Sequence, residues 1–325
     1  MIDLLARLVA IDSVNPALSP GAPGERAITN FVAGWLADHG VEVSEIPCDA
    51  DADRPSLLCR VPGTGSGRSL MLYAHTDTVG VDDMDRPFAA TVRDGALYGR
   101  GAWDMKGSLA GLMRVAANIA ARQCPGDVWL MIVADEESDS RGTEAVLREL
   151  ERRGIRPDGC IVTEPSGLRV MTAHRGFATG TIVTHGRAGH TAHRDEGADA
   201  IAMMARVIVA LNDLDTRMSG EAGHPLLGHE AVVVSLIRGG SELFTYPAEC
   251  RAQLVWRILP GRSRAALDAE VERIFAALKE RDPHFDAVLT WQHWREPQFA
   301  DAADITRAVA IAAHAELGEP PEVCG

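Results

Sequence analysis

Leu70-Met71-Leu72-Tyr73-Ala74-His75-Thr76-Asp77 is a short apolar run that ends abruptly in polar residues. Its length suits a buried strand and is too short for a helix. The pattern recurs at residues 128–134, which run into Asp135-Glu136-Glu137, and at residues 160–163, which run into Glu164. Three apolar strands that each deliver a histidine or carboxylate at the carboxyl end predict one site, because open α/β sheets bind ligands beyond that edge. Converging acids without compensating Lys or Arg would repel one another unless a cation sat among them. The stretch therefore predicts a divalent metal site at the edge of an α/β sheet.

A chain of 325 residues favours two domains over one. The formal charge of −14 and the lack of any Lys/Arg run argue against a nucleic-acid partner. The six cysteines are scattered without a C-x-x-C pair, which fits free thiols in a reducing compartment. No basic leader and no apolar stretch of membrane-spanning length is visible, so the expected location is the cytoplasm.

Helical periodicity marks residues 2–11 and 25–39, the latter ended by Gly40. Strands are expected at 41–46 and 56–61. Gly63, Gly65 and Gly67 precede a strand rather than opening a helix, so they read as a turn and not a phosphate loop. Asp104 falls in a long loop just before a helix carrying Leu109, Leu112 and Met113. Alone it would pass for a capping carboxylate. From Phe177 the texture changes: strands at 177–185, 231–237, 250–259 and 285–293 alternate with two amphipathic helices. That β-α-β-β-α-β order predicts a ferredoxin-like unit. The expected architecture is α/β. A doubly wound, mainly parallel catalytic sheet spans residues 1–174 and 299–325, with a ferredoxin-like domain inserted at 175–298.

Two divalent ions would be balanced by Asp104, Glu137 and Glu164 together with one hydroxide, with Asp104 able to bridge. Imidazole with carboxylates suits zinc, with cobalt and manganese as alternatives. Of the adjacent acids Glu136 and Glu137, one would bind metal while the other moves a proton between water and leaving group. Asp77, two residues after His75, is placed to orient the imidazole. In isolation the acidic triplet could be a solvated loop, a reading that weakens once it is taken together with the other candidate ligands. No G-x-S-x-G elbow, H-E-x-x-H helix or Walker loop is present, which argues against a serine nucleophile.

Several motifs together carry a family resemblance: Ser13-Val-Asn-Pro16, His75-Thr-Asp77, Gly99-Arg-Gly101 through Asp104-Met-Lys-Gly107, Asp135-Glu-Glu137, Thr163-Glu-Pro165 and Gly186-Arg-Ala-Gly-His190. The chain resembles the zinc aminoacylase/carboxypeptidase family, which includes acetylornithine deacetylase, succinyl-diaminopimelate desuccinylase and glutamate carboxypeptidase. The resemblance implies that His75, Asp104 and Glu164 hold one zinc, with Asp104 bridging to a second held by Glu137. It implies Glu136 as general base, Asp77 as partner of His75, and a lid domain that forms a homodimer. His190 resembles a histidine that reaches a neighbouring subunit's site, though a plain loop histidine fits too. Arg257 resembles an arginine that grips a substrate carboxylate; Arg251, Gln253 and Arg257 would also suit the wet face of a sheet.

Two departures stand out. Phe244 occupies the place, three before Pro247, where many relatives carry asparagine. The family's last zinc ligand, a C-terminal histidine, has no counterpart, and His314 reads as a surface or packing residue. The expectation is a C-terminally truncated member. Its activity would be hydrolysis of an amide in a small N-acyl amino acid or peptide bearing a carboxylate. The alternative is a non-catalytic metal-binding or dimerising homologue.

Overall fold

An apolar run buries both faces of a strand, so the strand needs a layer of helices on each side. The computed structural model shows how this chain supplies them; it describes residues 1–48, 51–82, 84–193, 195–300 and 303–325. The first of its two compact units is Met1–Gly167. It holds helices α1 (Ile2–Val9) and α2 (Arg26–Asp38), then strands β1 (Glu42–Cys48), β2 (Asp51–Val61) and β3 (Leu70–His75). A small hairpin follows, β4 (Thr91–Arg93) and β5 (Ala96–Tyr98), and after it α3 (Gly107–Arg122), β6 (Val128–Val133), α4 (Arg141–Arg153) and β7 (Gly159–Val162).

The main sheet runs β1-β2-β6-β3-β7. Side chains alternate across it with the two-residue period of a strand. Leu57, Leu72, Ala74, Leu130 and Ile132 pack with Leu8, Ile28, Val32, Leu109 and Met113 of α1, α2 and α3. Leu58, Met71, Tyr73, Met131 and Val133 pack with Ala145, Val146 and Leu150 of α4. The expected mainly parallel sheet is mixed. Strands β6, β3 and β7 run parallel, whereas β2 is antiparallel to both β1 and β6. Strands β1 and β2 are near-contiguous in sequence, and a parallel pair would need a crossover of a dozen residues or more. Register sets His75 beside Val133 and Tyr73 beside Val162. The carboxyl ends of β3, β6 and β7 therefore share one edge.

The hairpin lies inside what reads in sequence as a long loop. Its turn is Asp94-Gly95, with φ of 52° and 78°, the positive-φ pair that tight hairpins use.

The second unit is Leu168–Gly325. Its elements are β8 (Val170–Met171), β9 (Ala173–His174), β10 (Gly176–His185), α5 (Ala200–Ser219), β11 (Ala231–Gly239) and β12 (Glu249–Ile258). After these come α6 (Arg264–Arg281), β13 (Ala287–Arg295), β14 (Gln298–Phe299), α7 (Ala303–Leu317) and β15 (Val323–Cys324). A four-stranded antiparallel sheet, ordered β11-β12-β10-β13, buries Ala178, Ala252, Leu254 and Trp256 against Met203, Val207 and Leu211 of α5 and Leu267 and Val271 of α6. Both helices start on side-chain caps: Asp199 accepts from the Ala202 N–H, and Ser263 accepts from the Ala266 N–H. Short pairs β14–β9 and β15–β8 tie the end of the chain to the segment before β10. Among the described residues, no helix is long and apolar enough to cross a membrane.

Candidate metal centre

His75 closes β3 and is 1% exposed. One side of its ring is anchored: Nδ1 lies 3.0 Å from the Asp77 carbonyl oxygen and 3.4 Å from Asp77 Oδ1. The other side faces carboxylates from three separate segments. Nε2 is 3.0 Å from Asp104 Oδ1, 3.7 Å from Glu164 Oε1 and 3.8 Å from Glu136 Oε2.

Asp104 reaches that position from a tight turn. Gly101 adopts φ 79°, and a Cβ there would lie 2.8 Å from Thr78 Cγ2, so both conformation and space demand glycine. The Lys106 N–H donates to the Gly101 carbonyl at 2.8 Å, and the Asp104–Met105 peptide is cis. Asp104 does not cap α3, whose N-cap position is Lys106 and receives no side-chain hydrogen bond.

The Asp77 carboxylate organises the opposite wall. Oδ1 accepts the Glu136 N–H and Oδ2 the Glu137 N–H, each at 3.0 Å, while Asn15 Nδ2 donates to Oδ2 at 2.8 Å. Burial opposes ionisation of Asp77. The hydrogen bond and charge of His75, the Asn15 amide and the backbone donor of Glu137 outweigh it, so its pKa is lowered. Burial equally disfavours a charged His75, yet hydrogen bonds to Asp104 and Asp77 and the charge of Glu164 push its pKa up to about 11. Burial and neighbouring acids raise Glu136, and they lift Glu137 and Glu164 to about 7 against the opposing pull of His75. The pocket is short of positive charge.

A cation fits it. Donor atoms of His75, Asp104 and Glu164 lie within 4.8 Å of one another, the one such His/Asp/Glu trio among the described residues. Glu164 Oε1 is buried and has no hydrogen-bond partner. A buried carboxylate oxygen without a donor is costly unless a cation satisfies it. Imidazole and carboxylate ligands suit zinc, cobalt or manganese.

Glu136 and Glu137 stand beside the trio at the end of β6, with Glu137 electrostatically coupled to Asp104 and Glu136. His190 and Arg257 belong to the second unit. His190 is exposed, with Nδ1 accepting the Ala192 N–H at 3.1 Å. Arg257 is exposed on β12 and lies 5.7 Å from the Phe177 ring. On the same face Arg251 pairs with Glu249 at 2.6 Å.

Sequence reasoning missed a set of buried polar residues in the first unit. Glu25, Arg54, Asp135 and Lys106 are all under a tenth exposed. Lys106 Nζ donates to the Ile11 carbonyl at 2.8 Å, and burial lowers its pKa to about 8 against the charge of Asp12. Arg54 bridges Glu25 and Asp135. Asn15, Lys106 and Asp135 lay in motifs that drew notice, without a role assigned to any of them. Nothing local distinguishes Glu25 or Arg54 from surface charges.

Similarity to known proteins agrees with this geometry. Residues 71–325 match the model of peptidase family M20/M25/M40. Acetylornithine deacetylase of Proteus mirabilis is 29% identical over 287 residues, which cover 87% of this chain and 73% of that protein. A Staphylococcus aureus tripeptidase structure superposes with TM-score 0.78 at 19% identity, over 99% of this chain and 83% of that one. A dinuclear metal binding peptidase from the M20 family, from Bacillus subtilis, gives TM-score 0.73 at 17% identity, over 100% and 81% of the two chains. The chain belongs to peptidase family M20/M25/M40.

Proposed function

We propose that this protein is a metal-dependent amide hydrolase acting on a small N-acyl amino acid or peptide that bears a carboxylate. The observation that carries the reading is the buried Glu164 Oε1, which has no hydrogen-bond donor and lies within 4.8 Å of donor atoms of His75 and Asp104. His75, Asp104 and Glu164 would hold one divalent ion, zinc in the first instance, and Asp104 and Glu137 would hold a second. Such ions supply polarisation of the scissile carbonyl and a lower pKa for the attacking water.

The chain's own residues supply the proton handling. Glu136 Oε2 sits 3.8 Å from His75 Nε2 without belonging to the close donor trio. Burial raises its pKa. That suits a carboxylate that accepts a proton from water and returns it to the leaving nitrogen. Asp77 holds the His75 ring and, through two backbone N–H groups, the loop bearing Glu136 and Glu137.

The span 175–298, within the second unit, is read as an inserted ferredoxin-like lid of a doubly wound catalytic domain formed by 1–174 and 299–325. Its edge strand β11 leaves Val233, Leu236 and Ile237 each more than half exposed, a face suited to homodimer contact. His190 and Arg257 are its candidate substrate contacts, Arg257 for the substrate carboxylate.

The purified chain loaded with zinc is expected to hydrolyse N-acetyl amino acids or small peptides. Glu136→Gln should lose about 100- to 10,000-fold in kcat while still binding zinc. Zinc binding without turnover of any such substrate would favour the non-catalytic reading instead.

A further inference from the structure

A second cluster of buried ionisable groups is joined to the candidate centre through Asn15 and takes no part in holding a cation. Arg54 grips Glu25 at two points, Nε to Oε2 at 2.8 Å and Nη2 to Oε1 at 2.6 Å. The same Nη2 reaches Asp135 Oδ1 at 2.9 Å. Asn15 Nδ2 donates to Asp135 Oδ1 at 3.1 Å and to Asp77 Oδ2 at 2.8 Å. Glu25 Oε1 accepts the Asp135 backbone N–H at 3.1 Å. Asp135 is thus held by side chain and backbone together, at 1% exposure.

The grip coincides with an uncommon backbone. Asp135 has φ of 63°, in the left-handed region that L residues other than Asn and Asp rarely visit. The next two residues are Glu136 and Glu137, whose N–H groups both point to Asp77. An Asp135 relaxed to an extended or right-handed conformation would rotate the following peptide, and both N–H groups could not then stay on that carboxylate.

We propose that Asp135 is a positioning residue: clamped by Glu25, Arg54 and Asn15, it fixes the direction in which Glu136 presents its carboxylate. The inference deepens the hydrolase reading and rests on Glu136 as the base. The His75, Asp104 and Glu164 side chains arise from other segments, so loss of the clamp should separate catalysis from metal binding at that trio. Misplacing a catalytic group by about 1 Å costs about 100-fold in rate.

The test uses the full chain as Asp135→Gly, Asp135→Asn, Glu136→Gln and the double variant Asp135→Gly/Glu136→Gln. Glycine adopts the left-handed conformation freely and keeps the backbone N–H to Glu25, but loses the side-chain grip of Arg54 and Asn15; asparagine keeps both the shape and an oxygen for them. Three quantities are read: kcat and KM on an N-acetyl amino acid, and the affinity of the metal-free protein for the zinc ion held by His75, Asp104 and Glu164, by competition with a chromophoric chelator. Asp135→Gly should lose about 100-fold in kcat with KM and zinc affinity little changed. Asp135→Asn should recover most of that loss, and Asp135→Gly should add almost nothing to Glu136→Gln. Should Asp135→Gly misfold, Glu25→Gln, which loosens the clamp without touching Asp77 or the cation-holding trio, carries the test, with the same split expected.

Unchanged kcat in Asp135→Gly beside an impaired Glu136→Gln overturns the positioning role alone. Zinc affinity that falls in step with kcat, or losses that multiply in the double variant, overturn it too. A fully active Glu136→Gln, or a parent protein without turnover, refutes the underlying hydrolase reading and this inference with it.

Discussion

Replacing Arg54 with methionine tests whether the cluster behind the candidate centre is a structural necessity. The Arg54 side chain is 9% exposed and its partners Glu25 and Asp135 are 0% and 2% exposed. Methionine fills much of the stem volume but leaves the Glu25 carboxylate, among the described residues, with the Asp135 N–H, and Asp135 with Asn15 and the peripheral Arg141. Uncovering a buried charge in this way costs about 3–5 kcal/mol. At about 2–4 °C per kcal/mol for a unit of this size, the melting temperature should fall by about 6–20 °C. Thermal and urea unfolding followed by circular dichroism would measure it. Glu25→Met/Arg54→Met removes the bidentate pair as a unit, and should recover a large part of the loss because no stranded Glu25 remains. An Arg54→Met protein within about 1 kcal/mol of the parent, or a double variant no better than the single one, would refute the reasoning.

Other consequences are as direct. His75→Ala and Glu164→Gln should each weaken zinc binding by more than about 100-fold, beyond the loss expected for removing an outer partner of a ligand; equilibrium dialysis against zinc decides it. Leu130→Ala, fully buried on the central strand β6, should destabilise by about 2–5 kcal/mol in urea unfolding. Burial pushes the Cys59 thiol up to about 12, so the folded state keeps a proton that the unfolded chain releases at lower pH. Stability is therefore intact below pH about 9 and is lost as pH rises toward about 12, by up to about 1.4 kcal/mol per pH unit. Cys59→Ala should flatten that alkaline decline, and a slope equal to the parent's would count against the assignment.

Much of the centre could be read without coordinates because its donors follow apolar strands in a recurrent pattern. His75 ends β3, Glu136 and Glu137 follow β6, and Glu164 follows β7, so the pattern locates them at one edge. The glycines 63, 65 and 67 also form the expected turn: the N–H groups of Gly65, Ser66 and Gly67 converge on the Pro125 carbonyl. The β4–β5 hairpin carried a readable Asp-Gly signal, but its strands are three residues long and lack apolar alternation. Asp135 carried no role of its own within the acidic triplet, yet it is buried while Glu136 and Glu137 are partly exposed. Nothing in its local sequence marks that difference. The partners that make its burial tolerable lie 120, 110 and 81 residues earlier in the chain, at Asn15, Glu25 and Arg54.

By itself, then, the order of residues determined which segments become strands and helices and which chemical groups stand at their ends, since apolar periodicity and residue type are local properties. Strand direction in the β1-β2-β6 half of the sheet, the charge state of the pocket and the clamp on Asp135 were decided only by the tertiary structure. Pairing, desolvation and Coulomb interaction depend on distances in space, and chain separation does not report those distances.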